Sequence, residues 1–588
     1  MLRDKLKDWI MNNIFHVKNK AISELLKILI SEGHTELPKT AETLLQTKKF
    51  SNKPRIMKTA RGNNGLFMYF GLEEVLSKML SSNIYVEKKI RILVNIDGVP
   101  IYKNSSQQFW PILIEIFHED YICNPGIVAI YWGDSKPNDV DEYMEQFIQE
   151  ANKLTENGFK TDLKTYEFKI LAFVPDTPAR SYLKCSKGHG GYYSCERCTT
   201  KGVSINKRRI FPEMDCELRD KNSFKAQKQK EHHTGTSPLL KLKGFDPVRQ
   251  VFLDGMHLFF LGIIKYILLK LTKPKSKSKL RRTQTEELDK LLLKLSQGIP
   301  LEFQRKTFKL KDVSFWKANQ FKFIMCYGGP LLLKKYLSTQ KYKHLLLLLV
   351  SLRILYSKEL AVKNAEYART LLRLFFQLMP NMYGKDSQSN NFHNAIHVVD
   401  DVLYAKTSLT YISAFPFENC LGQIKRLVRT PNNPLVQVGR RLHEIQMSSS
   451  SSSLFIQKRY RFSEVLKKTS DKADARVLNE ETDCDLLQIK FKDATIRCLK
   501  PDNIVRISDG TYVEIEQLRY FKKKLIFKGY TVKVDNAFTY PCDSSIVGIV
   551  LVLKNSTKLR TFECEDITHK CLKLTIDSKK FIFTMLHC

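Results

Sequence analysis

The chain has 588 residues, 43% of them hydrophobic and 11% aromatic, which excludes a largely disordered polymer and leaves room for roughly two to four domains. Lys and Arg number 96 against 61 Asp and Glu, a net charge of +35. That excess favours a polyanionic partner, because neutralised phosphates release counterions, although a Lys-rich composition bias would give the same sum.

Residues 1–85 are expected to form a helical N-terminal segment. The start, MLRDKLKDWIMNNIF, is charged and amphipathic rather than a secretory leader. Ile14 to Ile30 repeat apolar residues at helical spacing, a polar link HTELPKTAETLLQTKKF follows, and a second short helix is expected over Leu72 to Leu80.

Residues 86–200 read as three strands, a helix and a fourth strand. IRILVNID is a near-continuous apolar run, as a central strand requires. VPIYK, then the apolar segment FWPILIEIF, and GIVAIYWG supply the next β segments. DVDEYMEQFIQEANKLTENG starts on an N-cap Asp and stops at Gly158, so it predicts a helix. EFKILAFV is the following strand and ends at Val174-Pro175-Asp176. This order fits an α/β, ribonuclease-H-like (integrase-type) core.

A large helical insertion is expected over 201–390, with the core resuming at 391–445. The apolar stretches 256–271 and 344–356 are shorter and more charged than a membrane span, so they predict buried helices and no membrane association. The serine run 448–453 marks a linker, 446–479. Residues 480–588 alternate Val, Ile, Phe and Thr between turn signals at Pro501-Asp502, Asp509-Gly510 and Gly529, which predicts a small C-terminal β-rich domain, barrel or sandwich.

Three carboxylates are the catalytic candidates. Asp97 ends the first core strand, Asp176 ends the fourth, and Glu418 lies in AFPFENCLG. Hard oxygen ligands of this kind hold paired Mg²⁺ ions about 3.5–4 Å apart for phosphoryl transfer. Each has a plainer reading: Asp97 as a turn residue with Gly98, Asp176 as a helix N-cap, Glu418 as an exposed side chain after Pro416.

The thirteen cysteines are scattered, and the absence of a leader predicts reduced thiols. Cys195-x-x-Cys198 has the spacing of a tetrahedral zinc half-site. His393 and His397, one helical turn apart, are the strongest distal pair to complete it; Cys185 and His189 are the competing local pair. A polar helix face is the bland reading of the two histidines. The basic run 273–282, with Lys273, Lys275, Lys277, Lys279, Arg281 and Arg282, is either an import signal, a phosphate contact or a solvated loop. Lys425, Arg426 and Arg429 follow Glu418, with Lys425 and Arg429 at i, i+4 on one helix face.

In combination these pieces resemble the transposases of the CACTA group (CMC superfamily) of cut-and-paste DNA elements, which are related to the catalytic core of the antigen-receptor recombinase. NIDGVP resembles the first-aspartate strand, VPDTPARSYL…GYYSCERC the second-aspartate motif with its zinc cysteines, and FLDGMHLFFLGI a recurring Asp-x-x-His block. FHNAIHVVDD…SAFPFENCLGQIKRLVR resembles the histidine pair followed by the catalytic glutamate, and TELPKTAETLLQTKK the segment before the core. The likeness runs over about residues 30–430.

The resemblance implies a DDE-type transposase: Asp97, Asp176 and Glu418 on two Mg²⁺, and a structural Zn²⁺ on Cys195, Cys198, His393 and His397. It further implies nuclear location, duplex DNA (transposon ends and target) as partner, and a homodimer or larger assembly on DNA. Such proteins usually carry a DNA-binding zinc motif before the core, and residues 1–60 have none. The alternative is therefore a domesticated, non-catalytic nuclear DNA-binding protein. A zinc-dependent RNA-binding protein would need aromatic RNP-type motifs that the sequence lacks. Asp254 and His257 are left between DNA or metal contacts and capping of the apolar helix that follows.

Overall fold

The computed structural model describes residues 2–14, 16–47, 53–80, 85–273, 276, 279–306, 309–446, 456–458, 484–486, 488–490, 494–521 and 524–586. They form two compact units, Met1–His189 with Arg219–Asp254 and Ser413–Lys458, and Gly190–Leu218 with Gly255–Ile412 and Arg459–Cys588. The architecture is mixed α/β with a β-rich C-terminal region.

The first unit is built on a mixed sheet of β1 (Arg55–Lys58), β2 (Asn64–Tyr69), β3 (Lys89–Ile96), β4 (Gln108–Ile116), β5 (Gly126–Gly133), β6 (Phe159–Lys160) and β7 (Thr165–Phe173). Their order is β1-β2-β5-β4-β3-β7-β6, with Val99–Pro100 added to β4. β3 is central because it is apolar on both faces; Ile90, Ile92, Leu93, Val94 and Ile96 are all fully buried. β4 runs antiparallel to β3 and β7 parallel to it, pairing Val94 with Ile114 and Ile92 with Ile170.

The return to a parallel strand requires a crossover, supplied by the helix Val140–Asn157. Asp139 caps its start by accepting from the Asp141 and Glu142 amides. Gly158 ends it at φ +70°, where a Cβ would meet the Tyr166 carbonyl at 2.7 Å. Its buried face carries Tyr143, Met144, Phe147, Ala151 and Leu154.

Three expectations change. Residues 55–69, read as part of a helical segment, form the β1–β2 hairpin and extend the sheet through β5, pairing Leu66 with Trp132. VPIYK keeps strand geometry only at Val99–Pro100, and the apolar QFWPILIEI is the long strand. Residues 219–254, assigned by sequence to the insertion, belong to the first unit. Gln250 donates to the Ile170 and Leu171 carbonyls, and the Phe252 amide to Phe173 O, so this segment covers the outer edge of β7. The serine run 448–453 and most of the linker lie outside the described residues, except that Ile456–Lys458 pairs antiparallel with Tyr121–Cys123.

The second unit combines helices with the C-terminal strands. Residues 344–356 are buried along the helix Thr339–Tyr356, and 256–271 forms a wide-turned helix, Met256–Ile264, continuing into Lys265–Thr272. Among the described residues no helix is long and apolar enough to cross a membrane.

The C-terminal strands are β8 (Cys484–Leu486), β9 (Ile504–Ile507), β10 (Tyr512–Phe521), β11 (Lys524–Asn536), β12 (Ile549–Glu563), β13 (Ile567–Ile576) and β14 (Lys579–Thr584). Their order is β8-β10-β9-β13-β14-β12-β11, and β10 also pairs with β11, so six strands close a ring. Arg353, fully buried in the helix Thr339–Tyr356, joins helix to ring. It donates to the carbonyls of Cys326 (2.9 Å), Val547 (2.5 Å), Gly548 (3.3 Å) and Thr584 (2.9 Å), and to Thr584 Oγ1 (2.9 Å).

Candidate metal centres

The first candidate lies at the C-terminal end of the central strand. β3 delivers Asp97 one residue beyond its last paired residue, half-buried. The adjacent end of β7 is tied to it: the Val174 amide donates to Val94 O, and Asn95 Nδ2 to Val174 O, both at 2.8 Å. Glu418 comes from the first turn of the helix Phe415–Leu427, whose Pro416 sits where no amide hydrogen is needed. Asp97 and Glu418 place carboxylate oxygens within 4.8 Å of each other. Two like charges so close favour a cation between them, and oxygen ligands about 2.0–2.6 Å from one divalent ion reach that separation.

Asp254 explains how Glu418 is presented. It is 1% exposed and was expected, on one reading, to cap the apolar helix after it. Its Oδ1 accepts from the Ala414 amide at 2.9 Å, and Ala414 O in turn accepts from the Glu418 amide at 2.9 Å. A residue 160 positions upstream thus fixes the start of the Glu418 helix.

Asp176 is engaged at the start of the next helix. It is the N-cap of Thr177–Leu183 and accepts from the Ala179 amide at 2.8 Å. Pro178 has no amide hydrogen, so Ala179 carries the nearest orphan donor. Asp176 is not among the residues whose ligand atoms gather with Asp97 and Glu418. The structure brings together two of the three predicted carboxylates. The neighbouring acids of the VVDD segment, Asp400 and Asp401, pair in the second unit with Arg369 (2.8 Å) and Arg197 (2.6 Å).

The second candidate is the cluster of Cys195, Cys198, His393 and His397, which lies wholly in the second unit and is buried. Cys195 Sγ and Cys198 Sγ are 3.5 Å apart, Cys198 Sγ and His393 Nε2 3.2 Å, and the two Nε2 atoms 3.3 Å. A tetrahedral ion with metal–sulfur bonds of about 2.3 Å and metal–nitrogen bonds of about 2.0–2.1 Å separates its ligands by about 3.3–3.8 Å. The observed spacings are close to those edges.

Two of the ligands, Cys195 and His393, are held from behind. The Arg197 and Cys198 amides approach Cys195 Sγ at 3.4 Å, and His393 Nδ1 lies 3.2 Å from Phe211 O, which leaves Nε2 facing the sulfurs. Asn390 bonds Ser194 Oγ at 2.8 Å, and the buried Arg197–Asp401 pair ties the cysteine loop to the helix Val398–Ala405. The two histidines do not share one continuous helix; Asn390–Ala395 ends before His397, which begins the next. Burial pushes the Cys195 thiol up, but its hydrogen bond with Cys198 and the imidazoles of His393 and His397 outweigh this and hold it well below the ordinary thiol range. Two cysteine sulfurs beside two imidazole nitrogens are a donor set that suits zinc.

The local alternative does not assemble. Cys185 Sγ faces Tyr182 O at 3.8 Å, His189 is exposed, and neither joins a metal-capable group among the described residues.

The predicted phosphate contacts divide. Lys425 and Arg426 occupy the last turn of the Glu418 helix, Lys425 half-buried and Arg426 exposed. Arg429 does not share that face, because the helix ends at Leu427. Its guanidinium is drawn to Ile14 O (2.6 Å) and Val17 O (3.3 Å), a structural role within the first unit. Lys273, Lys279, Arg281 and Arg282 are exposed, and Arg282 pairs with Glu286 at 2.8 Å; Lys275 and Lys277 lie outside the described residues.

Comparison with known families matches residues 473–586 to a domain of unknown function (DUF8592). That segment holds the C-terminal strands. No curated protein matches the chain.

Proposed function

We propose that the chain is a DDE-type DNA transposase, or derives from one, with a ribonuclease-H-like core that cleaves and joins phosphodiester bonds. The observation that carries this reading is the convergence of Asp97 and Glu418. They are separated by 321 residues (418 − 97) and meet at the end of a central strand with ligand oxygens within 4.8 Å. The sheet supports it: β3, β4 and β5 run antiparallel in order, and a helix leads to β7, parallel to β3.

Asp97 and Glu418 would hold divalent ions such as Mg²⁺, and Asp176, at the end of the neighbouring strand, is the third carboxylate a two-ion site requires. Bound there, such ions supply charge neutralisation to the attacking and leaving oxygens of a phosphodiester. Asp254 fixes the helix that aims Glu418, and Lys425 and Arg426 add positive charge to that helix for the substrate phosphates. Cys195, Cys198, His393 and His397 would hold a structural Zn²⁺. Nuclear location and assembly as a dimer on DNA belong to the same reading.

The test is Mg²⁺-dependent nicking of duplex DNA by the full chain, with Asp97→Asn and Glu418→Gln as controls. Loss of nicking in both, with DNA binding retained, supports the reading; nicking retained in either variant overturns it. One observation favours the second reading, a non-catalytic DNA-binding descendant: Asp176 is engaged as a helix cap. That reading expects duplex binding with no nicking by the unaltered chain.

A further inference from the structure

A short hairpin leaves the cysteine half of the buried cluster. Val203–Ile205 pairs antiparallel with Arg208–Ile210, and Ile205 faces Arg208 across a two-residue turn. Asn206 and Lys207 both have positive φ, +51° and +62°, the geometry of a tight hairpin turn that follows the natural strand twist. Residues 199–210, TTKGVSINKRRI, carry four cations and no acid. Lys201, Lys207 and Arg208 are exposed. Arg208 pairs with Asp386 at 3.2 Å, and Arg209 lies over the Tyr192 ring with Nε 3.4 Å from Gly190 O. The base of the hairpin is fixed. Ile210 is buried, the Phe211 amide donates to Gln388 O at 2.8 Å, and Phe211 O faces His393 Nδ1 at 3.2 Å.

The hairpin thus has an anchored root in the cluster and a charged tip. Arg208 is paired with Asp386 and Lys201 lies 5.8 Å from the Tyr193 ring centroid, while Lys207 stands exposed at the turn. Lys207 sits in a backbone conformation that glycine or asparagine adopts with less strain, so the turn itself does not call for lysine. A two-stranded ribbon also has the width that the major groove of B-form DNA admits, about 12 Å.

We propose that the hairpin 201–210 is a DNA-contacting ribbon, braced by the Cys195/Cys198/His393/His397 cluster, that enters the major groove of duplex DNA with Lys201 and Lys207 on its phosphates. This rests on the DNA reading above and adds a surface to it. The cluster then has a second consequence beyond holding the fold: it sets the rigidity of a recognition element. Duplex RNA is the competing partner, but its major groove is too deep and narrow for a ribbon to enter.

The experiment measures binding of the full, metal-loaded chain to a labelled random-sequence DNA duplex across a salt series, with the same sequence as duplex RNA alongside. Lys201→Ala/Lys207→Ala should lower the slope of log affinity against log salt by about 1.8. Affinity at physiological salt should fall about thirtyfold, with zinc content and melting temperature unchanged. Lys207→Gly is the second variant. It suits the turn, so the hairpin stays folded, and it should still lose about 0.9 of slope and about fivefold in affinity. Methylating guanine N7 should weaken binding of the unaltered chain and leave the double variant indifferent. An unchanged slope in both variants, equal sensitivity to methylation, or an equal loss on duplex RNA overturns the inference while leaving the DNA reading intact. If the unaltered chain binds no duplex DNA, the DNA reading itself fails.

Discussion

The carboxylate pair and the cysteine–histidine cluster solve the same assembly problem in opposite ways. Both draw ligands from distant segments, Asp97 with Glu418 and Cys195 with His393. The first pair is half-buried and consists of hard oxygens; the second group is buried and consists of sulfur and nitrogen. A site that must admit a substrate needs open coordination positions, whereas a site that only holds structure is closed by its own four ligands. On the proposed reading, burial and ligand type separate a reactive centre from a staple.

The largest effect should come from breaking the staple. Cys198→Ala, or a strong chelator, should remove a bound zinc and destabilise the second unit by up to about 10 kcal/mol, read as the loss of one thermal transition. Zinc stoichiometry unchanged in Cys198→Ala would mean that the cluster is not the zinc site. Mn²⁺ or Mg²⁺ titration should leave that transition where it is.

Acid and base should also set the two units apart. Burial pulls His344 in the second unit down to about 4, where it lies against Phe375 O at 2.8 Å. The folded state then stays neutral while the unfolded chain gains a proton below about 6.5, so stability is full above that pH and falls as pH drops toward 4. Burial pushes Glu444 in the first unit up to about 7, against the pull of Arg441. There the folded state keeps a proton that the unfolded chain loses above about 4.5, so stability is full below that pH and falls as pH rises through 7. Each swing is about 3 kcal/mol. His344→Gln and Glu444→Gln should each flatten one limb in pH-resolved melting. A limb unchanged by its substitution would assign that pH response to other groups.

A smaller effect is expected at Asp254. Asp254→Ala strands the Ala414 amide and should cost about 1–3 kcal/mol, together with weaker divalent binding; Asp254→Asn keeps an acceptor oxygen and should restore most of both. Isothermal titration with Mn²⁺ distinguishes this from a loss of fold alone. The smallest effect has the opposite sign. Without divalent ions, Asp97→Asn should stabilise the first unit by about 1 kcal/mol by relieving repulsion with Glu418, and the rise in melting temperature that Mn²⁺ gives the unaltered protein should vanish. A destabilised Asp97→Asn would show that the carboxylate has a packing role.

The parts of this molecule legible in the sequence were those whose signals are local. The run KIRILVNI announces a central strand, and Asp139 with Gly158 marks both ends of one helix. Spacing marked Cys195 and Cys198 as a half-site and left Cys185 with His189 or His393 with His397 to complete it; the family resemblance favoured the distal pair, which the structure brings to the cysteines. The bond from the Ala414 amide to Asp254 was not legible, because a backbone amide has no side-chain signature. Arg429 was misread because nothing before Pro431 marks the helix end at Leu427. The β1–β2 hairpin was missed because its strands are short, and the basic hairpin because its turn is Asn-Lys rather than Asn-Gly.

Arg353 bears on where this chain can be cut. The segment matched to the domain of unknown function begins at residue 473, yet three of the carbonyls that solvate the buried guanidinium, those of Val547, Gly548 and Thr584, lie inside that segment. Expressed without the helix Thr339–Tyr356, the strands would lose the donor that holds the Gly548 turn against Thr584. Expressed without the strands, the helix would carry a cation into a leucine-rich interior with one acceptor left, Cys326 O. A family boundary drawn from sequence similarity thus passes through one compact unit, and fragments meant for expression or crystallisation should keep both sides of it.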